Sequence, residues 1–192
     1  MAHKAIVAKI SEVIEIPGAD KIHVAKVLGE NVVVSKEWGV GFEGRKTYTP
    51  NPDLPSCVIV DVDGTVAKMN DRGPFEWAKV GTDTPREMII LMVQQYYDCG
   101  YDIVVCSGRS DECFEETSHW LVNNNVPFNE LLMRKKGDYR KDNEVKEEIF
   151  WTHIAERYNV LAAIDDRPVM IRLWHELRIP NVIAVADPYI EF

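Results

Sequence analysis

Three short runs of small and β-branched apolar residues each break off into polar groups. CVIV (57–60) leads to Asp61 and Asp63, DIVVC (102–106) to Ser107 and Arg109, and VLAAI (160–164) to Asp165 and Asp166. Runs apolar on both alternations suit strands covered on both faces, as parallel sheets are. Stretches with helical spacing separate them. Thr82–Cys99 has Pro85 near its first turn and Gly100 as its stop; Ser110–Asn124 puts Phe114, Thr117, Trp120 and Leu121 on one face. Asp142–Tyr158 and Pro168–Arg178 read as two more helices, and 129–133 and 182–186 as further short strands. Strands alternating with helices predict an α/β fold: a Rossmann-like parallel sheet with helices on both faces. In such sheets ligands meet the carboxyl ends of the strands, where these polar residues fall.

The chain of 192 residues allows one such domain and a small appendage. Three prolines between Pro50 and Pro55 mark a linker, so the expected division is a β-rich module at 1–50, a linker at 51–56 and the α/β domain at 57–192. In the module, Ala5–Ile16 and Lys21–Ser35 carry strand-like stretches around the turn residues of IPGAD. No run approaches the roughly 18 apolar residues of a membrane span. No secretion signal is recognised, and a cytoplasmic location is the default expectation. Cys57, Cys99, Cys106 and Cys113 have no zinc-like spacing and read as small apolar residues in a reducing compartment. The net charge of −9 excludes a protein that coats nucleic acid through a basic surface, but not an enzyme that grips one or two phosphates locally.

VDVDGT (60–65) sets two carboxylates two residues apart beside a turn-forming glycine. A carboxylate can attack phosphorus to form an acyl-phosphate, a second can move the protons, and both can hold magnesium. Asp165 and Asp166, adjacent at a buried strand end, repel each other unless a cation intervenes. Ser107 reads either as a phosphate donor or as a helix cap, and Arg109 as a planar phosphate fork or a surface cation. Arg72, in NDRGPF, either contacts substrate or stabilises its loop. His119, His153 and His175 have no matching ligand partner, and Trp120, Trp151 and Trp174 read as core or interface.

VDVDGTVAKMNDRGPF, IVVCSGR, GDYRKDNEVKEEIFWTHIA and LAAIDDR occur in the order and spacing of a known family. From Cys57 onward the chain resembles the haloacid dehalogenase (HAD) superfamily with a minimal cap. Within it, the chain is most similar to the 3′-phosphatase domain of bacteriophage polynucleotide kinase-phosphatase. The resemblance implies a magnesium-dependent polynucleotide 3′-phosphatase acting on DNA or RNA ends in nucleic-acid repair, with 2′,3′-cyclic phosphate as a further substrate. It implies Asp61 as nucleophile, Asp63 as general acid and base, Ser107 as a phosphoryl donor and Lys141 as the cation neutralising the aspartyl-phosphate. Arg72, Arg109 and Thr65 then hold substrate, and Asp138 organises the Lys141 loop. The implied magnesium shell is Asp61, Asp63 through its backbone carbonyl, Asp166 and, beside it, Asp165. A separate kinase or ligase is an implied partner, since GVGFEGRKT (39–47) departs from a phosphate-binding P-loop and kinase activity is not expected. The N-terminal VAKISEVIEIPGADKIHVAKVLGENVVVSK resembles the OB-like modules of some RNA ligases, implying a nucleic-acid clamp or a scaffold arm. A nucleotidase acting on small molecules, or a nucleic-acid-binding protein with an inactive phosphatase domain, are the alternatives.

Overall fold

The computed structural model describes residues 10–15, 22–27, 30–35, 46–70, 72–73 and 76–186, divided into units Met1–Lys46 and Thr47–Phe192. In the first unit, β1 (Ile10–Glu15), β2 (Ile22–Val27) and β3 (Glu30–Ser35) form an antiparallel sheet in chain order. The expected IPGAD turn lies outside the described residues.

The second unit is built on β4 (Ser56–Val60), β7 (Asp102–Ser110), β8 (Glu130–Arg134), β9 (Asn159–Asp165) and β10 (Asn181–Ala184). All pair in parallel in the order β10-β9-β4-β7-β8. The chain moves outward from β4 through β7 to β8, then returns to β9 on the other side. The reversal point therefore lies at β4, and a crevice opens beyond the carboxyl ends of β4, β7 and β9.

Alternation along the strands feeds two cores. Cys57, Ile59, Val104 and Cys106 face α3 (Asp142–Ile149) and α4 (Pro168–Glu176), with Phe150, Leu173 and Trp174. Val58, Val60, Ile103 and Val105 face α1 (Glu87–Asp98) and α2 (Phe114–Asn123), with Val93, Trp120 and Leu121. Three of the four cysteines are buried, as small apolar residues are expected to be.

Three elements differ from the sequence pattern. The helix expected from Thr82 starts at Glu87, because Thr84–Pro85 (β6) pairs with Ala67–Lys68 (β5). The strand expected to stop at Cys106 runs on to Ser110. Its register against β8 jumps from Ser107↔Met133 to Ser110↔Arg134, a bulge that lifts Gly108 and Arg109 out of the ladder. The third helix becomes a π-helical turn at Phe150–Ile154, which keeps both Phe150 and Ile154 buried. Gly100 ends α1 at φ +87, a left-handed value that favours glycine.

The boundary between units precedes the proline-rich segment because Tyr48 packs in the second unit. Its ring meets Phe150 edge-on with centroids 5.4 Å apart. Its hydroxyl donates to the Tyr158 carbonyl at 3.0 Å and accepts from Val160 N at 2.8 Å. Tyr48→Phe strips both buried backbone groups of a partner and should destabilise the protein by about 1–3 kcal/mol. The check is the urea midpoint of the full chain; an unchanged midpoint would show that the anchor is dispensable.

Candidate active site

The turn after β4 is wound by Gly64 N to Ala67 O (2.7 Å) and Ala67 N to Val62 O (2.9 Å). Gly64 sits at φ +85, and a Cβ there would lie 1.9 Å from Asp166 Oδ2, so only glycine lets this turn close against the end of β9. That closure brings the carboxylates together. Asp61, Asp165 and Asp166 are all buried and each offers an oxygen within 4.8 Å of the others. The Thr65 hydroxyl lies 3.3 Å from both Asp61 Oδ2 and Asp166 Oδ1.

One cation enters this cluster from within the chain. Lys146 Nζ, 1% exposed, donates to Asp61 Oδ1 at 2.6 Å and to Asp165 Oδ2 at 3.3 Å, and stands 3.7 Å from Asp142. Burial alone would lower the Lys146 pKa, but Asp165, Asp61 and Asp142 hold it well above the usual lysine value. A single ammonium does not balance the acids. Burial, reinforced by Asp165, pushes Asp166 up to about 6, and burial with Asp165 and Asp166 nearby pushes Asp61 well up despite Lys146. Asp165 is the acid most occupied by the protein: Lys146 and Trp174 Nε1 donate to its Oδ2 and Arg167 N to its Oδ1. Asp61 and Asp166 line a cavity of about 1180 Å³ at the strand ends. Three buried carboxylates, one lysine and open access fit a divalent cation.

Asp63 is turned away from this cluster. Its Oδ1 accepts from Arg72 Nη2 and Arg109 Nη2, both at 2.7 Å, and its Oδ2 from Arg109 Nε at 3.0 Å. The same guanidiniums grip Asp83, from Arg72 Nε and Nη2 at 2.7 and 2.6 Å and from Arg109 Nη2 at 2.7 Å. Arg72, Arg109 and Asp83 have almost no side-chain exposure, while Asp63 keeps 26% and faces the cavity. Trp120 Nε1 fixes the Asp83 carbonyl at 2.9 Å, and the Thr117 hydroxyl accepts from Arg109 Nη1 at 3.2 Å. The two arginines thus aim Asp63 at the cavity.

Of the residues singled out from sequence, Asp61, Asp63, Arg109, Asp138, Lys141 and Asp166 line this cavity, whereas Thr65, Arg72, Ser107 and Asp165 lie behind it. Ser107 is fully buried and its Oγ accepts from Arg109 N at 3.3 Å. Asp138 shapes its turn by accepting from Arg140 N at 3.0 Å and from the Arg140 guanidinium. Lys141 is exposed at the start of α3; the lysine against Asp61 is Lys146, about 140° around a helix from it. Lys146, Asp83 and Asp142 went unnoticed in the sequence. A pointer to Lys146 was available, since Asp142 and Lys146 are one turn apart on one helix face. Asp142 accepts from Arg134 at 3.2 Å and from Arg167 at 3.2 Å; a Cβ on Gly108 would fall 2.1 Å from its Oδ1.

Residues 55–188 match the polynucleotide kinase PNKP phosphatase domain, a HAD family. A bifunctional polynucleotide kinase/RNA ligase assigned in Autographa californica nuclear polyhedrosis virus is 36% identical over 149 residues, 76% of this chain and 22% of that protein. Chains from two structures of the Pnkp1/Rnl/Hen1 complex, one described as an RNA repair complex, superpose with TM-scores of 0.71 at 30% and 29% identity. They cover 77% and 84% of this chain, which spans about half of each, 52% and 51%. The class C acid phosphatase of Bacillus anthracis shares the fold at 14% identity and TM-score 0.51, over 72% of this chain and 69% of its own.

Asp83→Asn leaves two buried guanidiniums short of a countercharge and should cost about 3–5 kcal/mol of stability. Chemical denaturation measures it; a loss below about 1 kcal/mol would mean that Asp63 alone suffices as their partner.

Proposed function

The chain belongs to the polynucleotide kinase phosphatase-domain family, and on that premise we propose that it hydrolyses 3′-phosphate ends of RNA through an aspartyl-phosphate on Asp61. The observation that carries this reading is the buried Asp61, held by Lys146 beside Asp165 and Asp166, with Asp63 facing the same cavity. Magnesium is the proposed ion, held by Asp61, Asp166 and the backbone carbonyl of Asp63, with Asp165 beside them; bound there, it would offset phosphate charge and orient the phosphoryl group.

In the proposed reaction, an Asp61 carboxylate oxygen bonds to phosphorus as the bond to the ribose 3′-oxygen breaks. Asp63, held by Arg72 and Arg109, delivers the proton that the departing oxygen takes up. Asp63 then removes a proton from water, whose oxygen attacks phosphorus and returns Asp61 as a carboxylate with release of inorganic phosphate. Lys146, rather than Lys141, neutralises charge at Asp61 throughout. Thr65 and Ser107 hold the turn and Arg109 in place from behind. The cavity size favours a polymer end over a compact metabolite, and a ligase acting on the resulting 3′-hydroxyl is the proposed partner.

The testing experiment is phosphate release, with magnesium and with chelator, from a 3′-phosphorylated RNA oligonucleotide, its DNA counterpart and a nucleoside 3′-monophosphate. Magnesium-dependent release favouring the RNA oligonucleotide is expected; preference for the mononucleotide would instead identify a nucleotidase.

Two substitutions test the assignments. Lys146→Ala should lower kcat by roughly 100-fold or more, as loss of one charge-stabilising donor does, and by far more than Lys141→Ala. The reverse ranking would return the role to Lys141. Asp166→Asn should raise the melting temperature without magnesium, by relieving crowding among buried carboxylates, and cancel the magnesium-induced rise. Calorimetry showing an intact magnesium response would remove Asp166 from the ion's shell.

A further inference from the structure

The residues assigned to the phosphoryl chemistry are only some of those that line the cavity. At about 1180 Å³ it exceeds the roughly 300–1,000 Å³ of ordinary small-ligand clefts, and its lining includes Tyr139, Lys68 and Lys141. Tyr139 is 96% exposed, so its ring contributes nothing to the core. The turn that carries it is nevertheless braced. Gly137 takes φ +78, and Asp138 accepts from Arg140 Nη2 at 2.6 Å. Arg134 Nη1 donates to the carbonyls of Asp138 at 3.2 Å and Arg140 at 2.7 Å. Through Nε, Arg134 also donates to the Gly108 carbonyl at 2.8 Å, tying the turn to the strand end that bears Arg109. The backbone of Tyr139 is thereby held beside the site, so that stacking a base has only the side chain left to order. Lys68 and Lys141 are both exposed, and neither ammonium has an ion-pair or hydrogen-bond partner among the described residues. In a chain of net charge −9, two unpaired cations and a presented aromatic share the cavity that holds Asp61.

We propose that Tyr139, Lys141 and Lys68 form a second subsite for the penultimate nucleotide, the one 5′ of the nucleotide bearing the 3′-phosphate, its base stacked on Tyr139 and the phosphodiester joining the two met by the two lysines. The inference rests on the polynucleotide reading above and adds to it a place for the penultimate nucleotide. Stacking on one aromatic face reads no base identity, so the subsite accepts any sequence. It also makes chain length the specificity signal, because a mononucleotide has neither the second base nor the phosphodiester.

The test compares kcat/KM on a nucleoside 3′-monophosphate and on 3′-phosphorylated di- and trinucleotides for the wild type, Tyr139→Ala, Tyr139→Phe and Lys141→Ala. The wild type should improve sharply from one nucleotide to two and little beyond. Tyr139→Ala should lose roughly 5- to 100-fold more on the dinucleotide than on the mononucleotide, the range expected for one stacked base. Tyr139→Phe, which keeps the ring, should restore most of that loss. Lys141→Ala should flatten the salt dependence on the dinucleotide by about 0.7 in log–log slope, the value for one single-strand phosphate contact. Equal losses by Tyr139→Ala on both substrates, or a Tyr139→Phe that behaves like alanine, would overturn the subsite while leaving the 3′-phosphatase reading intact. A wild type that hydrolyses an aryl phosphate but none of the 3′-phosphorylated series would overturn both.

Discussion

The contact on which the site depends is the one between Lys146 and Asp61. A carboxylate buried at a strand end is costly, and two more acids lie within 4.8 Å of it. Lys146 reaches in from α3 and gives Asp61 Oδ1 a 2.6 Å hydrogen bond, while Asp61 still lines the cavity. Packing serves this arrangement. Trp174 lies in the core beneath β9 yet spends its indole N–H on Asp165, and Gly64 omits the side chain that would displace Asp166. The residual excess of negative charge is what makes the cluster a place for a divalent ion.

A second balance of charge stands beside the first. Asp63 and Asp83 share the donors of Arg72 and Arg109, almost wholly shielded from water. Removing any member strands a buried charge, so the four act as one unit. Its effect is positional: the arginines turn Asp63 away from the clustered acids and hold it in the cavity wall. The bulge at Gly108 and Arg109 in β7 makes this reach geometrically available. The segment joining β5 to β6 then supplies Arg72 and leads directly to Asp83.

Much of this was legible in the sequence for a simple reason. Apolar runs that stop at acids carry the strand period, the face count and the site edge in one pattern, so Asp61, Asp63, Asp165 and Asp166 could be placed at one rim before any coordinates. Lys146 was not, because five basic residues crowd between Arg134 and Lys141 and charge alone cannot say which lysine turns inward. The start of α3 at Asp142 is legible, but which of its faces packs against the end of β4 is not, and that packing turns Lys146 inward. Asp83 was hidden for a related reason. It falls in the first turn of the helix expected over Thr82–Cys99, and only the packing of Trp120 and the two arginines around it shows its part in the site. Arg109 reads as a fork for phosphate and Arg72 as a substrate contact or a loop brace, and the partners both grip here are carboxylates of the protein itself.

The central claim is that phosphorus bonds to Asp61 during turnover, and borohydride trapping tests it most directly. Enzyme quenched during steady-state hydrolysis and reduced should carry homoserine at position 61, located by peptide mass spectrometry, and should carry none when phosphate ester is omitted. Steady turnover with no homoserine at position 61, or with the reduced residue elsewhere, would contradict the account.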